Sequence, residues 1–142
     1  MKINFFLTKL FLIFLFLTSN AQANKSNYFL EAKKLFEKKN FEKSKFLFER
    51  DIVFNPKSEI SYLYLAKIFN KNENDEEEEI NLNNVLLINP KNDEALYMLI
   101  LIKIKQSDYE EVEKLFKQFT LVCNKFCSKE NEIKNKFYKL TP

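Results

Sequence analysis

FNPKSEISY at residues 54–62 and INPKNDEAL at residues 88–96 are two copies of one pattern. Their Asn-Pro pairs, Asn55-Pro56 and Asn89-Pro90, stand 34 residues apart. A fixed period of this length indicates a stack of identical supersecondary units. Since proline cannot continue a helix and disfavours helical geometry in the residue before it, each pair marks the end of a helix. The 142-residue sequence therefore predicts a helical repeat protein.

Alignment on the two prolines divides the chain into three units of 34 residues, at 25–58, 59–92 and 93–126. Each unit contains two segments whose apolar residues recur at helical spacing, which predicts two amphipathic helices per unit. The second helices are predicted to begin near Phe41, Asp75 and Tyr109. The recurring apolar or small residues are Tyr28, Tyr62 and Leu96 near the start of the first helix, Ala32 and Ala66 in its middle, and Phe48, Leu82 and Phe116 in the second helix.

Polar turns join the two helices of each unit, at residues 38–40, 70–74 and 106–108. The chain contains no Gly, the residue that most readily takes the left-handed conformation in which many helices end. Asn is the best substitute for Gly there. We therefore expect the asparagines of these turns to take the left-handed position.

The chain resembles the tetratricopeptide repeat (TPR) family over about residues 25–122. The residues that match the family pattern are Tyr28, Ala32, Phe41, Phe48 and Pro56 in the first unit, Tyr62, Leu65, Ala66, Leu82 and Pro90 in the second, and Leu96, Leu99, Tyr109 and Phe116 in the third. The resemblance implies an all-α, right-handed helical-hairpin solenoid of about three repeats. Residues 127–142 hold a last amphipathic stretch, which predicts the C-terminal capping helix that a solenoid needs.

Several residues depart from the family pattern at positions where a small side chain is usual. They are Ser44, Glu78 and Val112 at one position, Asp51 and Phe119 at another, and Ile100 in the third unit. We expect changes in local packing at these sites.

The family arrangement implies a concave groove lined by the first helix of each repeat. The implied groove residues are Phe29, Lys33 and Phe36, then Leu63, Lys67, Asn70 and Lys71, and finally Tyr97, Leu101, Ile104 and Lys105. Aromatic anchors with lysines between them suit an extended or helical peptide that carries some carboxylates. The alternative is that the apolar residues belong to the core and that the lysines form a solvated face. The Lys, Asn and Arg clamp that some family members use for C-terminal carboxylates is not matched.

The composition argues against an enzyme. The chain has no His and no Gly, so the commonest general base, the commonest metal ligand and any Gly-rich phosphate loop are missing. We predict a non-catalytic protein without a cofactor or metal. The acidic run at 75–79 is interpreted as the start of a helix, because it lacks the spaced ligands and the turn Gly of a calcium loop.

The N-terminus has the features of a secretory signal peptide at residues 1–23. Lys2 and Lys9 precede or flank an apolar run at 10–17, and Ala21-Gln22-Ala23 is a small-x-small cleavage pattern. The sequence thus predicts export, to the bacterial periplasm. The alternative is an uncleaved membrane anchor and a membrane-tethered scaffold.

Removing residues 1–23 takes away two lysines, so 23 − 2 = 21 basic residues face 20 acidic ones. A net charge near +1 gives no support for a nucleic-acid partner or for an anionic membrane surface. We expect a peptide or protein partner, bound by a protein-interaction adaptor. The alternative is a structural subunit that self-associates into a homo-oligomer.

Cys123 and Cys127 are the two cysteines of the chain, and an even count in an exported protein predicts a disulfide. Because a regular helix would strain a bond between residues four apart, the disulfide predicts a break in the helix near Asn124-Lys125.

Overall fold

A computed structural model describes residues 27–139 of the chain, which are all-α. The predicted signal peptide and the last three residues of the predicted cap lie outside the described residues. Seven α-helices are present in the described part, and none of them is long and apolar enough to cross a bilayer. Their bounds are α1 Tyr28–Glu37, α2 Phe41–Phe54, α3 Glu59–Lys71, α4 Asp75–Ile88, α5 Asp93–Lys105, α6 Tyr109–Val122 and α7 Glu130–Tyr138.

The helices form a solenoid of three antiparallel hairpins, and this confirms the predicted fold class. Helices α1 and α2, α3 and α4, and α5 and α6 pack pairwise, and each hairpin also packs on the next through α2 with α3 and α4 with α5. The second helices begin at the predicted residues Phe41, Asp75 and Tyr109. Helix α7 packs on α5 and α6 and so covers the end of the stack.

The core consists of two apolar clusters. The first belongs to the first repeat and the side of α3 that faces it, with Ala32, Phe48, Leu65, Ile68 and Phe69 as its buried members. The second fills the space between α3, α4, α5, α6 and α7, from Leu63 to Ile133. Helix α3 contributes opposite faces to both clusters, so it joins the first repeat to the rest of the solenoid.

The polar residues at small-residue positions are buried and hydrogen-bonded. Ser44 is fully buried, and its Oγ donates to the backbone carbonyl of Ala32 at 2.9 Å. Asp51 accepts a hydrogen bond of 2.6 Å from the hydroxyl of Ser61 on the next repeat. No buried side-chain nitrogen or oxygen between residues 27 and 139 lacks a partner. The polar residues at these positions therefore avoid the cost of an unpaired buried polar group.

The left-handed residues of the three intra-repeat turns are Lys39, Glu73 and Ser107, with φ of 59°, 56° and 58°. The prediction that asparagines take this position is wrong. In each turn the third residue past the end of the helix donates its backbone N–H to the carbonyl five residues earlier, as in Asn40 N–H to Leu35 O at 2.9 Å. Asn40 already serves as the N-cap of α2, so the left-handed geometry falls on the residue before it.

Replacing these three residues by Gly is expected to stabilise the protein. A left-handed residue with a Cβ costs about 1–2 kcal/mol, and the extra freedom of Gly in the unfolded chain returns about 0.5–1 kcal/mol of that. The triple variant Lys39→Gly, Glu73→Gly, Ser107→Gly should therefore unfold at a higher urea concentration. Lys38→Gly is the matched control, since Lys38 has φ −81° and should lose stability as Gly. A lower unfolding midpoint for the triple variant would contradict this account of the turns.

The predicted disulfide and the predicted helix break are both present. Helix α6 ends at Val122, Cys123 and Cys127 are bonded with Cα atoms 5.1 Å apart, and residues 124–126 form bends before a turn of 3₁₀ helix at Cys127–Lys129.

A carboxylate at the start of a repeat holds the turn at the end of the same repeat. Asp93 Oδ2 accepts the backbone N–H groups of Asn124 at 2.7 Å, Lys125 at 2.6 Å and Phe126 at 2.9 Å. In the preceding repeat, Glu59 occupies the equivalent position and accepts from the side-chain amides of residues 89 and 92. Partial burial opposes ionisation of Asp93, but the three N–H donors outweigh it and lower the pKa of its carboxyl group.

Candidate partner-binding groove

A groove of about 520 Å³ lies between α3 and α5, with side chains from α1 and α4 at its borders. It thus draws on all three repeats. Its lining residues are Phe36, Lys67, Asn70, Lys71, Asp75, Glu78, Glu94, Tyr97, Met98, Leu101, Ile102 and Lys105.

Seven of the eleven residues that the sequence assigned to a groove lie together in its wall. They are Phe36, Lys67, Asn70, Lys71, Tyr97, Leu101 and Lys105. The first helices of the repeats thus supply most of the lining, as the family resemblance implies.

The other four lie elsewhere. Phe29 packs against Phe48 and Tyr64, with ring centroids 6.0 and 6.2 Å away. Lys33 lies along α1 beside Glu37, at 3.9 Å. Leu63 and Ile104 are only 4% and 6% exposed and belong to the second core cluster, so their side chains do not reach the groove surface. For these two residues the alternative interpretation, a core position, describes the structure.

Sequence reasoning missed five lining residues: Asp75, Glu78, Glu94, Met98 and Ile102. Helical spacing could have found two of them. Glu94, Met98, Leu101 and Lys105 follow one another at intervals of four, three and four residues, which places them on one face of α5. Asp75 and Glu78 are on a second helix, which the family resemblance does not assign to the groove.

Two of the three lysines of the groove are paired with carboxylates across the repeat boundary. Lys67 Nζ lies 2.8 Å from a Glu94 oxygen, and Lys105 Nζ lies 2.6 Å from Asp75. The hydrogen bond to Asp75 raises the pKa of Lys105. Each pair joins the second repeat to the third, so the groove is also a site of contact between repeats.

The acidic run at 75–79 opens α4, as interpreted from the sequence. Asn74 caps this helix by accepting the N–H of Glu77 at 3.2 Å, and carboxylates in the first turn suit the positive end of the helix dipole. The run also forms two ion pairs with α5, one between Asp75 and Lys105 and one between Glu79 and Lys103.

Glu78 is the one carboxylate among the lining residues that is almost fully buried, at 1% exposure. The side-chain amide of Asn70 donates to both of its oxygens, at 3.1 and 3.0 Å. Burial raises the pKa of Glu78, and Asp75 adds to that shift, while Asn70 and Lys105 oppose it. Glu78 thus orients the side-chain amide of Asn70, which also lines the groove.

Phe36 lines the groove on the side of the first repeat and packs on two further aromatic rings. The ring of Phe36 lies edge-on to Phe41 and Tyr64, with centroids 5.4 and 4.9 Å away. Lys71 Nζ lies 5.4 Å above Phe41 and Lys67 Nζ 5.3 Å above Tyr64. These cation–π contacts fix the two ammonium groups at the rim of the groove.

Tyr97 connects the groove to the C-terminal helix. Its hydroxyl donates to Glu132 of α7 at 2.9 Å, and Lys129 Nζ lies 5.4 Å above its ring. Burial and the Glu132 carboxylate raise the pKa of Tyr97. Hydrogen bonds from Lys129, Lys136 and Tyr97 lower the pKa of Glu132 to about 2. Helix α7 therefore holds one wall of the groove in place while it covers the core.

The lining of the groove is chemically mixed. It offers ammonium, carboxylate and amide groups beside apolar surface. Within residues 27–139 no group of three or more metal-ligating side chains lies close enough together to hold a metal ion.

Comparison with known proteins identifies the fold. No protein-family model matches the chain, and no curated protein sequence matches it. Solved TPR structures do match. The TPR2B domain of yeast Sti1 in a complex with pHsp70 gives a TM-score of 0.67 at 18% identity, over 81% of this chain and 94% of that one. The Sgt2 TPR domain from Aspergillus fumigatus gives a TM-score of 0.67 at 14% identity, over 83% of this chain and 82% of that one.

A third similar structure is the CopN-Scc3 complex, with a TM-score of 0.64 at 15% identity over 87% of this chain and 72% of that one. At these identities the likeness shows the fold alone. Residues 27–139 therefore have a TPR-like fold. The function of the groove must be inferred from the residues that line it.

Proposed function

We propose that this chain is a non-catalytic protein-interaction adaptor that binds a peptide or a segment of a partner protein in the groove between α3 and α5. The observation that carries the proposal is the groove itself, about 520 Å³ in volume and lined from all three repeats by apolar, amide and charged side chains. Support comes from two similar TPR structures that are complexes, one with pHsp70 and one of CopN with Scc3.

The charges of the groove limit the chemistry of its ligand. Three lysines and three carboxylates line it, and Lys67 and Lys105 are already paired with Glu94 and Asp75. A strongly acidic segment would have to displace these carboxylates from their lysines. We therefore propose a ligand with apolar side chains for Met98 and Leu101, and with backbone or amide groups for the polar rim.

We propose further that the adaptor is exported and acts in the bacterial periplasm. The support is the signal-peptide pattern at residues 1–23 and the bond between Cys123 and Cys127, which an oxidising compartment favours. A membrane-tethered scaffold is the second candidate, favoured by the same apolar N-terminal segment. Mass spectrometry of the protein from membrane and soluble fractions separates the two, because cleavage gives a chain that starts at Asn24.

Selection of random peptides on the full chain tests the groove. We expect enriched peptides to bind at least ten-fold more weakly to the double variant Met98→Glu, Leu101→Glu, because two half-buried apolar side chains that line the groove are replaced by charges. Binding is measured by fluorescence anisotropy of the labelled peptides, and circular dichroism checks that the variant keeps its helices.

Ile80→Glu is the matched control, because this apolar residue is exposed on α4 and does not line the groove. It should leave peptide affinity unchanged. Failure to enrich any peptide, or enriched peptides that bind the double variant as well as the parent, would refute the groove as the binding site.

A further inference from the structure

One edge of the solenoid is formed by the turns that end the repeats. The turns at residues 55–58, 89–92 and 123–126 lie there, since each follows the second helix of one hairpin. We call this side the Asn-Pro edge, defined by these three turns together with the last helical turns of α2, α4 and α6. The opposite edge carries the intra-repeat turns at residues 38–40, 72–74 and 106–108.

The Asn-Pro edge carries one strongly exposed aliphatic residue per repeat. Val53, Leu87 and Leu121 are 34 residues apart in sequence and are 75%, 82% and 78% exposed. Single exposed apolar residues are common on protein surfaces. Here three exposed apolar residues occupy the same position of successive repeats, so they form a row along one edge of the molecule.

A row of lysines runs beside the aliphatic row. Lys57, Lys91 and Lys125 are again 34 residues apart, and all three are exposed. None of their ammonium groups makes a salt bridge within the described chain. The nearby carboxylates of Glu59 and Asp93 are occupied by the amides of the turns. This edge therefore presents positive charge next to apolar surface.

Helix α1 begins at the same edge. The ring of Tyr28 at the start of α1 stacks on Phe54, the residue after Val53, with centroids 5.7 Å apart. Arg50 lies 5.0 Å from the Tyr28 ring and adds a cation there. The described part of the chain therefore begins beside the exposed row.

We propose that the Asn-Pro edge binds the surface of an anionic lipid bilayer. The aliphatic side chains enter the interface, and the lysines pair with anionic headgroups, each contributing roughly a five-fold gain in partition. The groove, which lies on another side of the solenoid, stays open to its ligand.

The charges favour a bilayer over a second copy of this chain. In a symmetric pair formed through this edge, the lysines of one copy would face those of the other, which is unfavourable. The opposite edge carries negative charge in the second and third repeats, because the acidic first turns of α4 and α6 lie there. An anionic surface would attract one edge and repel the other, which orients the molecule.

Photo-crosslinking of the full chain on vesicles tests the proposal. We place p-benzoylphenylalanine at Leu87 and, in a second protein, at Asn72 on the opposite edge, and measure adducts by mass spectrometry. With vesicles of phosphatidylcholine and phosphatidylglycerol we expect lipid adducts at position 87 and at least ten-fold fewer at position 72. Vesicles of phosphatidylcholine alone should lower the yield at position 87 about ten-fold or more.

The triple variant Lys57→Gln, Lys91→Gln, Lys125→Gln should lower the yield at position 87 to a similar extent on the mixed vesicles, because three exposed cations are removed without a change in packing. Circular dichroism confirms that it folds. Equal lipid adducts at positions 72 and 87 would mean that the N-terminal segment alone brings the chain to the lipid, and would overturn the proposal. Adducts between two copies at position 87, no adducts there, or no effect of the lysine substitutions would overturn it as well.

Discussion

Phe48→Ala is expected to unfold the first repeat and leave the rest of the solenoid folded. Phe48 is fully buried in the first core cluster, where its ring stacks on Tyr64 at 4.9 Å and packs against Phe29 at 6.0 Å. Truncation of a buried Phe costs about 3–5 kcal/mol. A cost of that size is comparable to the stability that one repeat derives from its own packing and its contacts with a single neighbour.

The effect stays local because the two core clusters are separate. The first cluster depends on Phe48, whereas the second is built from residues of α3 to α7 and includes none from α1 or α2. Loss of the first cluster therefore leaves Leu63 and Ala66 of α3 packed within the second cluster. Partial unfolding of this kind is expected where repeats contact only their neighbours.

Hydrogen exchange measures this prediction segment by segment. The amides of α1 and α2 should lose protection in the variant, while those of α5 and α6 keep the protection they have in the parent. Phe46→Ala is the control on the same helix, because Phe46 is exposed and its truncation should cost less than about 1 kcal/mol. Uniform loss of protection across all helices would show a single cooperative unit instead.

Asp93→Ala is expected to lower the free energy of unfolding by about 2 kcal/mol, because three backbone N–H groups lose a charged acceptor. The cost is limited since the amides of Asn124 and Lys125 are exposed and water replaces the carboxylate there. The disulfide continues to hold the turn from its other side. The loosened turn should also free α7, so the hydroxyl of Tyr97 loses part of its contact with Glu132.

The stabilisation by Asp93 depends on pH in a defined direction. Its pKa is lowered in the folded protein, below the value of about 3.9 for an unfolded Asp. The contribution is thus complete above about pH 4 and is lost as the pH falls through the folded pKa. Urea unfolding at neutral pH and at acid pH should show a large difference between parent and Asp93→Ala at neutral pH and a smaller one in acid.

Glu110→Ala serves as the control for this series, since Glu110 is exposed on α6 and makes no ion pair within residues 27–139. It should change stability little at either pH. A difference between parent and Asp93→Ala that is equally large at both pH values would show that side-chain packing, and not the charge of Asp93, stabilises the turn.

The period of the sequence predicted the hairpins well because prolines and recurring apolar positions are local signals. The starts of α2, α4 and α6 coincide with the predicted residues Phe41, Asp75 and Tyr109. The break before Cys127 was predictable for a similar reason, since bond geometry between two cysteines in one helix is a local constraint.

The groove was predicted less completely, because its lining depends on the rotation of each helix about its own axis relative to its neighbours. Leu63 and Ile104 were placed in the groove from the family arrangement, yet the core between α3 and α5 covers them. Glu78 was missed since it is on a second helix, and a buried carboxylate is expected only where a partner such as Asn70 is known. The turn residue Glu73 was missed because its left-handed geometry follows from the helix that comes next.

The hydrogen bond between Asp51 and Ser61 also specifies the order of the repeats. The equivalent residues one repeat later are Val85 and Ala95, both fully buried in the apolar core. The junction between the first and second repeats is thus polar, and the junction between the second and third is apolar at the same place. A chain with its repeats in another order would place a hydroxyl against a valine or a carboxylate against an alanine. The three repeats therefore have similar structures but cannot exchange places.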